Sequence, residues 1–380
     1  MVDNLKISCP CHFGLESVLS SEIKRLGFEN IDTISGRVSF TGGFKEVARA
    51  NLWLRTAERV QIILGTFTAV NFTDLFDQVS EIPFEDFIGK NDAFPVTGYS
   101  LNSQLSSVPS CQSIIKKAVA KRLERKYKIS WFEENGPVFK IQFSIMKDVV
   151  NIMMDTSGAG LHKRGYRQNS NAAPIKETLA AGIVDLARIR GYSQVYDPFC
   201  GSGTMLIEAA MHGMKIAPGI KRMFAFEKWN LAPKSIMSME RNLALEAIDR
   251  NCEFFAYGSD IDENAIRLTE QNAKKAGVLS RLKLEQKDIR DFKTYTEKAI
   301  IITNPPYGER LLERQEASDI YRTMDKVFEL NGKNSFYIIS AHDEFESDFG
   351  KKADRRRKLY NGMLKCQLYM YFKPAGHNRK

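Results

Sequence analysis

The sequence predicts an α/β fold: a doubly wound, mainly parallel sheet in the carboxyl-terminal half, preceded by an amino-terminal α+β part. Between residues 194 and 304, apolar strand-like stretches end in polar residues and alternate with helical periodicity, which is typical of successive β-α units. Further on, Asn361-Gly362 precedes alternating apolar residues up to Phe372, which predicts a closing antiparallel hairpin.

The composition bounds the class of protein. The chain has 380 residues, 43% of them hydrophobic, which is enough for two or more domains. A net charge of +9 and a pI near 9.1 favour a polyanionic partner. Because we find no signal peptide and no long apolar run, we expect a soluble, cytoplasmic protein.

The cysteines do not suggest a disulfide framework, because they are scattered along the chain. They are Cys9, Cys11, Cys111, Cys200, Cys252 and Cys366. The cluster Cys9-Pro10-Cys11-His12 has no second set of ligands, so we expect a structural thiol pair and no metal.

Two α+β modules are predicted before residue 160. In the first, at 1–58, strands at 5–9 and 36–40 alternate with helices at 15–26 and 44–54. In the second, at 59–160, the predicted elements are a strand at 60–67, a helix at 75–87, an extended segment at 94–100, a basic helix at 109–128, and strands at 138–145 and 149–155.

The basic helix has two interpretations. Its cations could contact nucleic-acid phosphates, or they could form an ordinary solvated helix face, and charge alone leaves both open. They are Lys116, Lys117, Lys121, Arg122, Arg125, Lys126 and Lys128.

A basic, aromatic linker at 161–173 follows. Its cations Lys163, Arg164 and Arg167 are candidates for contact with RNA phosphate or with the mouth of an active site, whereas His162 could instead bond within the linker. We then expect a helix that begins near Asn171 or Pro174.

The first site motif is a glycine turn after the strand at 194–197. Gly201 and Gly203 permit positive φ and close approach of a ligand, and we expect Thr204 to cap the following helix. The turn lacks the lysine of a phosphate loop and the third glycine of the dinucleotide fingerprint. On its own it could be only a tight loop. The candidate cofactor residues here are Asp197, Pro198, Cys200, Gly201, Ser202, Gly203 and Thr204.

Two acidic strand ends follow. A strand at 253–260 ends in Asp260, which could accept hydrogen bonds from two ribose hydroxyls, and Asp262 is expected to cap the helix at 264–276. A strand at 282–288 ends in Asp288, where the carboxylate or a neighbouring amide could meet an adenine edge. The adjacent residues Ile261 and Ile289 complete this candidate set.

The second site motif follows an apolar strand at 298–303. It is Asn304-Pro305-Pro306-Tyr307, continued by Gly308, Glu309 and Arg310. Together with the glycine turn it resembles S-adenosylmethionine-dependent methyltransferases that act on planar exocyclic amines. The resemblance implies S-adenosylmethionine as the cofactor, with Asn304 among the residues near it.

The same resemblance implies catalytic roles for the four motif residues. Asn304 and the Pro305 carbonyl would hold the two hydrogens of the amine, and the rigid Pro305 and Pro306 would fix them. Tyr307 would stack on the flipped base.

The amino-terminal part resembles a THUMP domain, an RNA-binding module found beside RNA-modifying enzymes. An insert at about 213–250, which we expect to form a helical cap of the domain at 174–380, is similar to one in large-subunit rRNA guanine-N2 methyltransferases. By resemblance, the substrate is guanine N2 of ribosomal RNA, bound by 59–160. Adenine N6 of RNA or DNA, a protein glutamine amide, or an inactive RNA-binding fold are the alternatives.

The remaining elements are predicted at the carboxyl-terminal end. They are a helix at 319–330, a strand at 335–340 and the closing hairpin. The charge run Arg355-Arg356-Arg357-Lys358 either adds to an RNA surface or protects a sheet edge from aggregation.

Overall fold

The computed structural model describes residues 4–167, 175–231, 233–307, 311–328 and 333–372. The chain divides into two compact units. The first contains Met1–Pro10, Ser20–Leu161 and Met223–Asn242, and the second contains Cys11–Leu19, His162–Arg222 and Leu243–Lys380. The predicted domain ranges are continuous along the chain, whereas each unit collects separated segments.

The first unit is built on one sheet of seven described strands in the order β2-β3-β1-β4-β7-β6-β5. The strands are β1 (Leu5–Pro10), β2 (Glu29–Ile34), β3 (Arg37–Gly42), β4 (Gln61–Thr68), β5 (Val96–Leu101), β6 (Ile141–Met146) and β7 (Val149–Asp155). The helices along this part of the chain are α1 (Glu16–Arg25), α2 (Phe44–Trp53), α3 (Phe72–Ser80) and α4 (Val108–Tyr127).

Strand β4 joins the two predicted α+β modules. It pairs in antiparallel fashion with β1 on one side and with β7 on the other, so both modules share a single sheet. Strand β2 was not predicted, because it lies at the sheet edge with its residues mostly exposed and therefore shows no apolar alternation.

Helix α4 packs on α3 and β5 through an apolar stripe. Ile115, Val119 and Leu123 are fully buried along it, while the lysines and arginines between them lie on the outer side or its borders. The predicted helix at 75–87 is shorter in the structure, because α3 ends at Ser80 and only a single turn, Phe84–Asp86, follows.

Part of the predicted insert packs within the first unit. The Trp229 ring stacks on Phe139 with 4.5 Å between ring centroids, and its Nε1 donates to the Val138 carbonyl at 3.0 Å. Arg49 makes two 3.0 Å bonds to Glu240. We expected this insert to cap the carboxyl-terminal domain, but Trp229 and Glu240 pack on residues of the first unit instead. Their partners Phe139 and Arg49 lie far away in sequence, so the sequence pattern did not reveal them.

The second unit contains a sheet of seven described strands in the order β10-β9-β8-β11-β12-β14-β13. They are β8 (Gln194–Asp197), β9 (Phe255–Asp260), β10 (Leu282–Gln286), β11 (Ile300–Thr303), β12 (Ser335–Ser340), β13 (Arg355–Asn361) and β14 (Leu364–Tyr371). The first five in that order are parallel, and β14 is antiparallel to both neighbours. This confirms the doubly wound fold with a closing hairpin.

The strand order reverses between β8 and β11, and this is where ligands bind in open α/β sheets. Two hydrophobic clusters cover the two faces of the sheet. Successive residues of a strand point to opposite faces, so each strand contributes to both clusters. The described helices of this part are α5 (Glu177–Leu186), α6 (Thr204–Gly213), α8 (Glu263–Ala276), α9 (Leu311–Val327) and α10 (Phe345–Asp348), whereas most of α7 (Lys234–Glu246) belongs to the first unit.

Several predicted boundaries shift. Helix α9 begins at Leu311, eight residues before the predicted start, and the predicted end at Leu330 lies outside the described residues. The predicted start of α5 at Asn171 or Pro174 also lies outside them. Asn361 pairs with Leu364, so the hairpin turn is Gly362-Met363, one residue later than predicted.

Across the described ranges, no helix combines the length and apolarity that a membrane crossing requires.

Candidate active site

The glycine turn lies against the end of β9. Gly201 and Gly203 have φ angles of +52° and +79°, a backbone region that favours glycine. The amide of Gly201 donates to Oδ2 of Asp260 at 2.9 Å, and the amide of Cys200 donates to the Ser259 carbonyl at 3.0 Å. The turn and the first acidic strand end are therefore brought together, as the sequence order suggested.

The two glycines face different surroundings. A Cβ on Gly203 would come within 2.6 Å of the Thr269 side chain, so this glycine is required for packing as well as for its φ. A Cβ on Gly201 would meet nothing within 4 Å, so the turn opens onto free space at that point. Of the flanking candidates, Pro198, Cys200 and Ser202 are buried.

Thr204 does not cap α6. The cap residue is Gly203, and Thr204 is the first helical residue. Its hydroxyl accepts a 2.7 Å bond from Nη2 of Arg167 and lies 3.2 Å from the Ser202 hydroxyl. The capping prediction was wrong by one residue, because the helix begins at Thr204 and Gly203, with a positive φ, takes the cap position.

Two residues of α8 that hold the turn were missed from the sequence. The Thr269 hydroxyl donates to the Gly201 carbonyl at 2.8 Å, and the Asn272 amide donates to the Ser202 carbonyl at 3.0 Å. Both are buried. Two polar residues three positions apart on the apolar side of a predicted helix are a signal that could have identified them.

Asp197 connects the two central strand ends. Its Oδ1 accepts a 2.7 Å bond from the Thr303 hydroxyl and a 3.1 Å bond from the Phe199 amide. Burial raises its pKa to about 7, against these two hydrogen bonds, which lower it. Because Thr303 directly precedes Asn304, the carboxyl group links the glycine turn to the second motif.

The second motif follows β11 as predicted. The Tyr307 hydroxyl donates to Oδ1 of Asn304, and burial raises the pKa of Tyr307, so the phenol keeps its proton. The Pro306 carbonyl accepts a 2.8 Å bond from Tyr321. Pro305 is buried, and residues 308–310 lie outside the described part of the chain.

The acidic strand ends differ in their partners. Asp260 also accepts a 3.1 Å bond from the Asp262 amide, and its own carbonyl accepts a 2.9 Å bond from the Lys287 amide, which ties β9 to the end of β10. The Asp288 carboxylate bonds Arg290 at 2.7 and 2.9 Å, and this pairing lowers its pKa to about 2.

The two isoleucines of the candidate set also differ. Ile261 is 67% exposed beside Asp260, whereas Ile289 is partly buried against a hydrophobic cluster. An exposed isoleucine at this edge is available to contact a flat ligand.

The linker cations are used for packing. Arg164 is 3% exposed and lies 3.4 Å from Glu208, which also accepts a 3.1 Å bond from Tyr166. Arg167 pairs with Glu177 at 3.5 Å. Arg164 is therefore too buried for the predicted RNA contact. Arg167 is partly buried and bonds Thr204 beside the glycine turn, so its contact with RNA or with the mouth of the active site stays a prediction, and Lys163 remains exposed.

Carboxylates also pair with most candidate cations of α4. Arg122 contacts Glu85 at 2.6 to 3.1 Å, and Arg125 lies 3.5 Å from Glu81. The other two ion pairs are Lys116 with Glu134 and Lys121 with Glu124. Lys117 is exposed.

No metal site is found among the described residues: they contain no group of three or more His, Cys, Asp or Glu side chains that could hold an ion. All six cysteines are buried and none forms a disulfide.

Comparison with known families assigns each part of the chain. Residues 164–370 match the RMKL-like methyltransferase domain, residues 6–61 the RlmL ferredoxin-like domain, and residues 69–155 the THUMP domain. The doubly wound sheet and the methyltransferase match over residues 164–370 together define the class of this protein as a methyltransferase. The chain belongs to the RMKL-like methyltransferase family.

Similar proteins extend this assignment. The chain is 40% identical to "Putative RNA methyltransferase YpsC" of Bacillus subtilis, over 97% of this chain and 96% of that protein. It is 33% identical to "Ribosomal RNA large subunit methyltransferase K/L" of Psychromonas ingrahamii over 95% of this chain, but spans only 49% of that protein. The solved structure of "SMU.472, a putative methyltransferase complexed with SAH" has a TM-score of 0.93 and 39% identity, covering 99% of this chain and 100% of that one.

Proposed function

We propose that the protein transfers a methyl group from S-adenosylmethionine to an exocyclic amine of an RNA base, and that this amine is guanine N2 of large-subunit ribosomal RNA. The observation that carries the proposal is the link between Thr303 and Asp197, which holds the Asn-Pro-Pro-Tyr segment beside the glycine turn. The THUMP match and the rRNA and RNA methyltransferases among the relatives support RNA as the substrate. Because ribosomal RNA is found in the cytoplasm, the proposal places the protein there as well.

The residues at the sheet edge fit S-adenosylmethionine. The open space at Gly201 can take the methionine end, framed by Ser202, Gly203 and Thr204. The Asp260 carboxylate is suited to ribose hydroxyls, and the exposed Ile261 to an adenine face. The Asp288 carboxylate is engaged by Arg290, so the backbone after β10 is the better candidate for the adenine edge. When bound, the cofactor supplies an electrophilic methyl group on a sulfonium.

Asn304 is the residue that would bind and orient the target amine. An exocyclic amine on an aromatic ring is a weak nucleophile, because its lone pair is delocalised. The Asn304 Oδ1 and the Pro305 carbonyl oxygen accept one hydrogen bond each from the amine. These two bonds orient the nitrogen lone pair toward the methyl group to be transferred. The Tyr307 ring follows Asn304 by three residues and lies beside its side chain, which suits it to stack on the base.

The first test is Asn304→Ala. We expect a fall in kcat of about 100- to 1,000-fold, the size found when one oriented polar group is removed from a transfer site. Binding of S-adenosylhomocysteine, measured by calorimetry, should stay at the wild-type value, which also shows that the variant is folded. Transfer at the wild-type rate would refute the role of this side chain.

A second experiment identifies the base. Ribosomal RNA nucleosides from a strain lacking the gene are compared with wild type by mass spectrometry. Loss of one N2-methylguanosine supports the proposal, whereas loss of an N6-methyladenosine would reassign the target. An unchanged nucleoside profile would overturn ribosomal RNA as the substrate.

A further inference from the structure

The edge strand of the second sheet carries cations that carboxylates do not neutralise. Arg355, Lys358 and, across the hairpin, Lys365 are exposed. Among the described residues none of these three has an ion-pair partner, whereas on the same strand Arg356 lies 3.4 Å from Glu346 and Arg357 interacts with the charge of Glu16. Lys358 and Lys365 lie on one face of the hairpin near its tip, whereas Arg355, three residues before Lys358, points to the other face.

Two aromatic rings lie near Lys358. Phe13 and Tyr360 meet edge to face with 6.2 Å between ring centroids, and the Lys358 ammonium lies 5.3 Å from the centre of the Tyr360 ring. Phe13 remains 53% exposed. We call Phe13, Lys358, Tyr360 and Lys365 the hairpin surface.

Gly14 fixes Phe13 at this position. Its φ is +90°, and a Cβ there would lie 2.4 Å from the Lys358 carbonyl. The segment before α1 therefore runs directly against the backbone of β13, and only glycine permits this approach. An aromatic ring from the start of the chain is thus built into the edge of the second sheet.

The hairpin surface lies beside the amine-binding segment. Tyr321 bonds both the Pro306 carbonyl and the Ser340 hydroxyl, at 2.8 and 3.1 Å. Ser340 pairs with Gln367, which pairs with Lys358 across the next ladder. Two strand spacings of roughly 4.8 Å therefore place Lys358 on the order of 10 Å from Ser340. Beyond Lys358 the hairpin continues past this same carboxyl edge to a fully exposed Met363.

Protection of the sheet edge explains only part of this arrangement. Charged side chains on an edge strand do prevent pairing with other chains. That purpose does not account for Phe13 and Met363, because exposed apolar groups at an edge favour the association that the charges would prevent. Cations interleaved with aromatic rings are instead typical of surfaces that bind single-stranded nucleic acid.

We propose that the hairpin surface binds the RNA strand that flanks the target base, with the cations on its phosphates and Tyr360 or Phe13 stacked on a neighbouring base. This inference rests on the proposed function and names a second part of the same substrate. The Coulomb attraction needs no rearrangement of the cations, because no carboxylate has to be displaced.

The test removes two cations from each end of the strands in this sheet. Lys358→Ala/Lys365→Ala, near the carboxyl end of β13, is compared with Lys326→Ala/Lys352→Ala, whose exposed lysines lie at the end of α9 and before the amino end of β13. Binding of the full-length protein to an unmethylated large-subunit rRNA transcript is measured between 50 and 200 mM salt. The first pair should lower the salt slope by about 1.4 to 1.8, and the second should not change it.

The aromatic residues give a separate readout. Tyr360→Ala and Phe13→Ala should weaken binding by about 5- to 100-fold without a change in salt slope, because stacking involves no phosphate. Tyr360→Phe should bind as wild type. In turnover assays the hairpin variants should raise KM for RNA while kcat at saturating RNA stays near wild type.

Equal loss of binding in both lysine pairs, or no loss in either, would overturn the hairpin surface. The binding measurement does not depend on turnover. A wild-type protein that binds the transcript but transfers no methyl would refute the proposed function alone. Hairpin variants that bind like wild type, in a protein that does methylate RNA, would refute the hairpin surface alone.

Discussion

The basic helix α4 and the hairpin surface are both runs of cations, yet their surroundings are opposite. On α4, Arg122 is held by Glu85 and Arg125 faces Glu81, with two further lysines also paired. On the hairpin, Lys358 and Lys365 have no acidic partner among the described residues. A run of cationic residues in the sequence therefore does not by itself determine the electrostatic potential at the protein surface.

The reason is the position of each element in its layer. Helix α4 packs beside α3 and the turn at Phe84–Asp86, and those segments bring carboxylates to its flank. Strand β13 is the last strand of its sheet and has one strand neighbour. At this edge Lys358 and Lys365 are available for an outside anion, whereas Arg122 and Arg125 of α4 have their counter-ions inside the protein.

The largest expected effect of this difference is on stability. Arg122→Ala should lower the free energy of unfolding by about 1–2 kcal/mol, because it leaves a partly buried Glu85 without its charged hydrogen bonds. Arg125→Ala, on the same helix with a long and exposed pair, should change it by less than about 0.5 kcal/mol. Chemical denaturation measures both. Equal losses would mean that the Arg122 pair is not structural.

A smaller effect is expected from releasing the α4 cations. Glu81→Gln/Glu124→Gln removes the partners of Arg125 and Lys121 while leaving both cations in place. If pairing is what keeps them from RNA, the salt slope of binding to the rRNA transcript should increase by up to about 1.4 to 1.8. An unchanged slope would show that α4 does not face the RNA at all.

The smallest effect concerns pH. The hydrogen bonds from Arg122 lower the pKa of Glu85, so the folded protein binds this proton less tightly than the unfolded chain does. The pair therefore stabilises fully above the unfolded pKa of 4.5, and this contribution is lost as pH falls through the lowered folded value. Between pH 6 and pH 3, the free energy of unfolding measured by denaturation should fall less in Arg122→Ala than in wild type. Parallel curves would contradict the assignment.

The sequence predicted the second sheet well, because its strands are short, apolar and bounded by turn residues. The predicted strands at 194–197 and 335–340 coincide with β8 and β12. The glycine turn and the Asn304 segment were expected at strand ends, and a parallel sheet brings such ends to one edge. The two motifs could therefore be predicted to lie at the same edge of the sheet although about a hundred residues separate them in sequence.

What the sequence could not provide were the distant partners. Arg164 looks like a surface cation until Glu208 is placed against it, 44 residues further on. Thr204 has the right type for a cap, but Gly203 takes that position. In each case the side chain chemistry was identified and its partner was not, since partners depend on packing that periodicity does not encode.

Strand β4 has a practical consequence for dividing this protein. The ferredoxin-like match ends at residue 61 and the THUMP match begins at residue 69, so all of β4 except its first residue lies in the gap between them. A fragment starting at residue 69 would lose the strand that covers β7 and would present a bare ladder to other molecules. RNA affinity assigned to such a fragment would be confounded by self-association, and both modules have to be expressed together.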